Sequence, residues 1–173
     1  IKSKMIAEKA SVNVVPGFIG EINNVNHAKE IAKKIGFPVI VKASAGGGGK
    51  GMRIVNSEED VEEAFLRASS EAKNSFGDER LFVEKYLVEP RHIEIQIIAD
   101  NYGNVVSLGE RECSIQRRNQ KVIEEAPSSF LDETLRRDMS TQAIMLAKEV
   151  EYSSAGTVEF IVDKDKNFYF LEM

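Results

Sequence analysis

Cysteine, tryptophan and histidine are scarce in this sequence, and each shortage excludes a class of protein or site. Cys113 is the one cysteine among 173 residues, and tryptophan is absent. A lone cysteine cannot form an internal disulfide, so we expect a reducing compartment. The two histidines, His27 and His92, are too few to build a zinc site by themselves.

Excess positive charge and long apolar runs are missing as well. The formal net charge of −5 argues against a nucleic-acid-binding surface. No apolar stretch reaches the length of a membrane span, and no signal peptide is evident. We therefore expect neither nucleic acid nor membrane among the partners.

The residues that are present favour an α+β fold. Hydrophobic residues make up 42% of the chain, which is enough for a core. Helical and strand patterns mix, and the late part consists mostly of hairpins. We expect two subdomains, residues 1–86 and 87–173, with a nucleotide in the cleft between them. Because the chain starts at Ile1 and ends within a strand, we expect a piece of a longer protein, with the second subdomain truncated.

Local patterns predict where helices begin and which way one strand faces. Asn26 is a candidate cap, Ser57 with Asp60 resembles a capping box, and Asp132 is a candidate cap for a late helix. Residues 92–99 alternate between polar and apolar, which predicts a strand. Its isoleucines would face one way and its polar side chains the other: His92, Glu94 and Gln96.

A glycine-rich loop occupies residues 46–51 and reads GGGGKG. Glycine lets backbone N–H groups wrap around phosphate oxygens, and Lys50 adds positive charge. The loop is not a Walker A motif, because Gly51 replaces the required Ser or Thr. It is not a Rossmann fingerprint either, because a strand follows it instead of a helix. We expect a lid that closes over phosphates; a flexible linker is the alternative.

Lys42 ends the apolar strand that leads into the glycine loop. A lysine at this position would direct a cation at phosphates bound under the loop. The alternative is an edge lysine with a solvated ammonium group.

Two glutamates near the end of the chain form a candidate metal site. If residues 164–167 form the hairpin loop, Asp163 opposes Phe168 and Glu159 lies directly opposite Glu172. Opposed like charges destabilise a sheet, whereas a shared Mg²⁺ would be held by such oxygen ligands. A different register, with both side chains solvated, is equally compatible with the spacing.

The middle segment carries a basic cluster in an otherwise acidic chain: Arg111, Arg117, Arg118 and Lys121. It predicts an anion site for phosphate or bicarbonate; a solvated loop is the alternative. We interpret Cys113 as a packing residue. The segment after Glu84 and Lys85 could contact an adenine edge through backbone groups.

These segments together resemble the biotin carboxylase family of ATP-grasp enzymes. The resemblance covers nearly the whole chain in the family's order, and it is carried by Lys42 with AGGGGKGM (45–52), EKYLVEPRHIEIQ (84–96), ERECSIQRRNQKVIEEAP (110–127), AGTVEF (155–160) and FYFLEM (168–173). It implies an ATP-grasp fold in a ligase that uses Mg-ATP and bicarbonate to carboxylate biotin. The isolated chain is expected to be inactive.

The resemblance also assigns roles residue by residue. Lys121 would bind bicarbonate, and Glu159 and Glu172 would bind Mg²⁺, with Mn²⁺ as a substitute. The ATP-binding residues that it implies are Lys42, Gly46, Gly47, Gly48, Gly49, Lys50, Gly51, Met52, Glu84, Lys85, Leu87, His92, Gln116 and Asn119.

Asn119 departs from a histidine that is common here among bacterial acetyl-CoA carboxylase components, which puts one phosphate-side contact in question. The variant, with VEYSSAGTVEFIVD and VNVVPGF, resembles propionyl-CoA carboxylase α subunits. That resemblance implies a biotin carrier domain and a carboxyltransferase subunit as partners. The location would be the cytoplasm in a bacterium or the mitochondrial matrix in a eukaryote. The alternatives are a carbamoyl-phosphate synthetase-like ligase and a non-catalytic nucleotide-binding module.

Overall fold

The computed structural model describes residues 2–22, 24–45 and 51–173. Over these residues it contains helices α1 (Lys2–Lys9), α2 (Val25–Ile35), α3 (Val61–Phe76) and α4 (Glu133–Glu149). The strands are β1 (Val39–Ala43), β2 (Met52–Val55), β3 (Leu81–Lys85), β4 (Arg91–Ala99), β5 (Val105–Arg117), β6 (Gln120–Glu125), β7 (Ser154–Val162) and β8 (Phe168–Glu172). The strands of both sheets pair antiparallel, which confirms the predicted α+β class.

The chain divides into two compact units, each with its own sheet and core. One unit comprises residues 15–87, and the other comprises residues 2–14 and 88–173. The described part of the chain holds no helix with the length and hydropathy needed to cross a bilayer.

In the unit of residues 15–87, strands β2, β1 and β3 form a three-stranded sheet in that order. Helices α2 and α3 pack on the face to which Val39 and Val41 point. Because successive side chains of β1 point to opposite faces, Lys42 lies on the other face of the sheet. There Lys42 pairs in register with Met52 of β2 and Phe82 of β3.

Helix α2 is capped by Asn24, whose side-chain oxygen accepts a hydrogen bond from the backbone N–H of His27 at 2.9 Å. The prediction of Asn26 as the cap is therefore wrong by two residues. Ser57 does not cap α3, because its hydroxyl donates to the Asp60 carboxylate and Asp60 makes no side-chain cap bond. Asp132 does cap α4, accepting from the Leu135 amide at 3.0 Å.

In the other unit, five strands form a sheet in the order β6-β5-β4-β7-β8. Helix α4 covers one face, and α1 packs against α4 and β8. The core beneath α4 is apolar and includes Ile93, Ile95, Ile97, Met139, Leu146, Val158 and Phe160. The predicted alternation of β4 is confirmed, since its isoleucines are buried here and its polar residues face the other way.

The β7–β8 hairpin brings Glu159 opposite Glu172, as predicted, but by a different register. Val162 pairs with Phe168, so Asp163 lies inside the loop instead of opposing Phe168. The Asp163 carboxylate accepts hydrogen bonds from the amides of Asp165 and Asn167, both at 2.9 Å. A bulge between Phe160 and Glu159 then adds one residue to β8 and restores the opposition.

Candidate functional site

The polar face of the five-stranded sheet carries a cluster of charged side chains centred on Glu159. One carboxylate oxygen of Glu159 lies 2.8 Å from His92 Nε2, and the other lies 2.5 Å from Lys121 Nζ. The contact with His92, assisted by Lys121, lowers the pKa of Glu159 to about 2. Glu159 is therefore ionised at neutral pH.

Lys121 lies between two carboxylates, those of Glu159 and Glu94. Burial lowers the pKa of Lys121, but the hydrogen bonds to Glu159 and Glu94 outweigh burial and leave that pKa above its usual value. Its side chain is 26% exposed, so part of it reaches solvent. An anion arriving at this face would meet a permanently charged lysine.

Glu94 is the most deeply buried acid of the cluster, with 4% of its side chain exposed. One of its oxygens accepts a hydrogen bond from Arg111 Nε at 2.6 Å, and the other contacts Lys121. Arg111 also donates to the Gln96 side-chain oxygen at 2.9 Å. No role was assigned to Glu94 from the sequence, although its place between His92 and Gln96 on the polar side of an alternating strand was a usable signal.

His92 is oriented by Gln116 on the neighbouring strand. The Gln116 amide nitrogen contacts His92 Nδ1 and donates to the Cys113 carbonyl at 2.9 Å. With Nδ1 in contact with Gln116, the ring presents Nε2 to the Glu159 carboxylate. The sequence predicted that both residues belong to one site, and the structure brings them together.

Glu172 lies at the end of β8, exposed and directly opposite Glu159. Two carboxylates on one sheet face repel each other unless a cation lies near them. Oxygen donors of this kind fit a hard divalent cation such as Mg²⁺. Lys121 supplies positive charge beside Glu159, and a divalent cation between the two carboxylates would neutralise both of them.

Three of the residues predicted to contact ATP in the unit of residues 15–87 share the non-helical face of its sheet: Lys42, Met52 and Glu84. Lys42 forms an ion pair with Glu84, whose side chain is 2% exposed. Burial lowers the pKa of Lys42 to about 8. Met52 is the register partner of Lys42, so these three side chains belong to one surface.

Lys85 and Gly51 have local structural roles. The Lys85 ammonium group donates to the carbonyls of Gly36 and Phe37 at 3.0 and 2.9 Å, which fixes the end of β3. Gly51 has φ +69°, and a Cβ added there would lie 2.7 Å from the Ala43 side chain. Glycine is therefore required at Gly51 for both conformation and space. Leu87 is half-buried just beyond β3.

Three further predictions concern Asn119, Cys113 and the glycine loop. Asn119 is exposed in the β5–β6 turn with φ +65°, a conformation that asparagine tolerates well. Cys113 is buried, and burial together with the nearby Glu94 charge raises the pKa of its thiol to about 12. Such a thiol stays protonated, which agrees with a packing role. The residues Gly46, Gly47, Gly48, Gly49 and Lys50 lie outside the described part of the chain.

Comparison with known proteins gives a family for the whole chain. Residues 1–173 match the family described as "Carbamoyl-phosphate synthase L chain, ATP binding domain". The chain is 61% identical over 173 residues to a propionyl-CoA carboxylase α chain of Ruegeria pomeroyi, covering 100% of this chain and 25% of that protein. It is 60% identical to the mitochondrial α chain of Homo sapiens, of which it covers 24%. The chain thus spans about a quarter of the length of these curated relatives.

Solved structures of biotin carboxylases also match this chain. A biotin carboxylase of Campylobacter jejuni in complex with beta-gamma-ATP matches with a TM-score of 0.95 and 52% identity, over 99% of this chain and 39% of that one. The biotin carboxylase domain of a Hydrogenobacter thermophilus 2-oxoglutarate carboxylase, in complex with MgADP, ADP and bicarbonate, matches with a TM-score of 0.93 and 50% identity. That match covers 99% of this chain and 38% of the other.

Proposed function

Because the chain belongs to the family of carbamoyl-phosphate synthase L chain ATP-binding domains, we propose that it is the ATP-binding part of a biotin carboxylase. Its fold is the ATP-grasp fold of the biotin carboxylases that it matches. The enzyme that contains it would use Mg-ATP and bicarbonate to carboxylate biotin. The 61% identity to propionyl-CoA carboxylase α chains favours propionyl-CoA as the final acceptor of the carboxyl group.

The observation that carries this proposal is a charged lysine beside two opposed glutamates on one sheet face. Lys121 supplies a cation for a small anion such as bicarbonate, and its contact with Glu159 lies next to the position of Glu172. Phosphoryl transfer depends mainly on holding charged groups close and neutralising them, and these residues provide both signs of charge.

Each residue of the cluster has a distinct part in that reaction. Glu159 and Glu172 would hold Mg²⁺, which when bound neutralises phosphate charge. Lys121 binds and orients the bicarbonate, and His92, fixed by Gln116, keeps Glu159 in place. Lys42, Met52, Glu84, Lys85 and Leu87, with the 46–51 loop, would bind ATP. Asn119 is proposed to lie near the phosphates.

The proposed enzyme has further partners. A biotin carrier domain and a carboxyltransferase subunit are needed to deliver and use the carboxyl group. The relatives include bacterial and mitochondrial enzymes, so we propose the cytoplasm of a bacterium or the mitochondrial matrix of a eukaryote as the location.

The proposal is tested in the full-length protein that carries this chain, with Glu172→Gln. We expect the Mg²⁺ concentration needed for half-maximal, bicarbonate-dependent ATP cleavage to rise by about tenfold or more, because the variant loses one charged oxygen ligand. The matched control is Asp165→Asn, which removes an exposed carboxylate from the loop of the same hairpin. An unchanged Mg²⁺ dependence in Glu172→Gln would remove the metal assignment.

The family description also favours a second candidate, a carbamoyl-phosphate synthetase-like ligase. Both reactions begin with ATP and bicarbonate and differ in the acceptor. ATP cleavage that is stimulated by free biotin supports the carboxylase, whereas stimulation by ammonia alone supports the second candidate.

A further inference from the structure

A continuous series of hydrogen bonds connects the backbone of the five-stranded sheet to Lys121. The Gln96 amide nitrogen donates to the Gly156 carbonyl at 2.9 Å. The Gln96 side-chain oxygen accepts from Arg111 at 2.9 Å, and Arg111 Nε donates to Glu94 Oε1 at 2.6 Å. Glu94 Oε2 contacts the Lys121 ammonium group. Each side chain in the series is fixed by the one before it.

We propose that Arg111 is a positioning residue for the bicarbonate site, which acts by holding Glu94 so that one carboxylate oxygen stays directed at Lys121. This inference rests on the proposed role of Lys121 in binding bicarbonate. In this proposal Arg111 acts on Lys121 through Glu94 and not by contact with the substrate.

The two Glu94 oxygens have different partners, which supports this role. Two nitrogens of Arg111, Nε and one terminal nitrogen, approach Oε1, which leaves Oε2 for Lys121. The planar guanidinium group can contact Glu94 and Gln96 at once, whereas a lysine offers a single point charge. Without Arg111, the buried Glu94 carboxylate would keep Lys121 as its near counter-charge and could turn either oxygen toward it.

Of the two carboxylates that contact Lys121, Glu94 has the larger effect on the position of the lysine. Glu159 is the proposed metal ligand, so its carboxylate has another task during the reaction. Glu94 has no such task and is 4% exposed, which keeps it in one place. The position of Lys121 Nζ then depends mainly on Glu94, and the orientation of Glu94 depends on Arg111.

A matched control lies on the opposite face of the same sheet. Arg136 Nε donates to Glu110 Oε1 at 2.8 Å, with 27% of the arginine side chain and 2% of the glutamate side chain exposed. The Arg111–Glu94 pair has corresponding exposures of 29% and 4%. The two pairs share type and burial, but only Glu94 contacts Lys121.

The experiment uses Arg111→Met, Arg111→Lys and Arg136→Met in the full-length protein, with initial rates of ATP cleavage measured against bicarbonate and against Mg-ATP. We expect Arg111→Met to raise the KM for bicarbonate by about tenfold, as for other groups that orient a ligand-binding side chain, while the KM for Mg-ATP changes by less than about twofold. Arg111→Lys keeps the positive charge but lacks the planar guanidinium group with its several donors. Its KM for bicarbonate should therefore rise less, by about threefold. Arg136→Met should leave both constants unchanged in the folded fraction.

The outcomes separate this inference from the proposed function. If the wild type shows no bicarbonate-dependent ATP cleavage, the proposed function fails and the inference falls with it. If the wild type is active, equal constants in Arg111→Met and Arg136→Met overturn the inference alone. An equal rise of both KM values in Arg111→Met also overturns it, because that pattern indicates general disruption. If Arg111→Met does not fold, Arg111→Lys decides: an unchanged KM for bicarbonate overturns the inference.

Discussion

The two faces of the five-stranded sheet both bury glutamates, but they surround them with different partners. On the face under α4, Glu110 accepts from the backbone N–H of Ser128 at 3.2 Å as well as from Arg136. Glu112 accepts from the Ser128 hydroxyl at 2.6 Å and from Arg91 at 2.8 Å. On the opposite face, Glu94 and Glu159 are held mainly by the ends of long cationic side chains and by a histidine.

The difference teaches how to separate a structural buried charge from a functional one. Glu110 and Glu112 bracket Arg111 on β5, so burial of acidic side chains in this strand is not a functional signal by itself. The glutamates under α4 are bonded in part by the hydroxyl and the backbone amide of Ser128, a residue that is itself buried. The glutamates of the polar face contact Lys121, which is shared between two acceptors and still reaches solvent.

Breaking one ion pair under α4 should give the largest change in stability. Arg136→Met leaves the Glu110 carboxylate buried without its cation, and an unpaired buried charge destabilises the folded state. We expect this loss in the free energy of unfolding, measured by urea denaturation. Turnover per folded molecule should not change. An unchanged free energy of unfolding would show that the Ser128 amide is enough to hold Glu110.

Replacing both members of each pair sharpens the comparison. Glu110→Leu with Arg136→Met should be more stable than Arg136→Met alone, since it removes the unpaired buried charge and leaves only the Ser128 amide without its acceptor. Its ATP cleavage should be retained. The matched replacement on the polar face, Glu94→Leu with Arg111→Met, should also fold but lose most bicarbonate-dependent ATP cleavage. Equal activity in the two double variants would contradict a functional division between the faces.

The smallest expected effect is a pH dependence of stability from Glu112. Burial raises the pKa of Glu112, but the hydrogen bonds from Ser128, Arg91 and Ser114 outweigh it and leave the pKa below the ordinary value of 4.5. A carboxyl group whose pKa is lowered by folding stabilises the protein above pH 4.5, and this stabilisation is lost as the pH falls through the lowered pKa. The difference in unfolding temperature between wild type and Glu112→Gln should therefore shrink below pH 4.5. A constant difference between pH 6 and pH 3 would contradict it.

Local features of the fold could be predicted from the sequence where one interaction decides the outcome. The alternation of β4 follows from the two faces of a pleated strand, and it identified the polar face correctly. The Asp132 cap was predicted because this residue comes directly before the apolar periodicity of the helix. Asn24 and Asn26 are both good caps, and only the position of the first helical amide decides between them.

Features that depend on residues far apart in sequence were not predictable in the same way. The packing of α1 on α4 and β8 joins the two ends of the chain, and no local pattern shows it. The network of Glu94, Arg111 and Lys121 spans three strands, so no local pattern shows that Arg111 and Lys121 share the Glu94 carboxylate. The opposition of Glu159 and Glu172 was predicted, but the bulge that produces it was not.

The bulge in the β7–β8 hairpin has a consequence for how related sequences are found. The two glutamates are aligned by three ladder pairs, from Val162–Phe168 to Phe160–Phe170, followed by one extra residue in β8. The loop between Val162 and Phe168 does not enter this arrangement, so its length can vary without moving either carboxylate. A search pattern that fixes the number of residues between the glutamates will therefore miss relatives with a longer or shorter loop. A pattern that fixes three residues before the loop and four between the loop and the second glutamate will retain them.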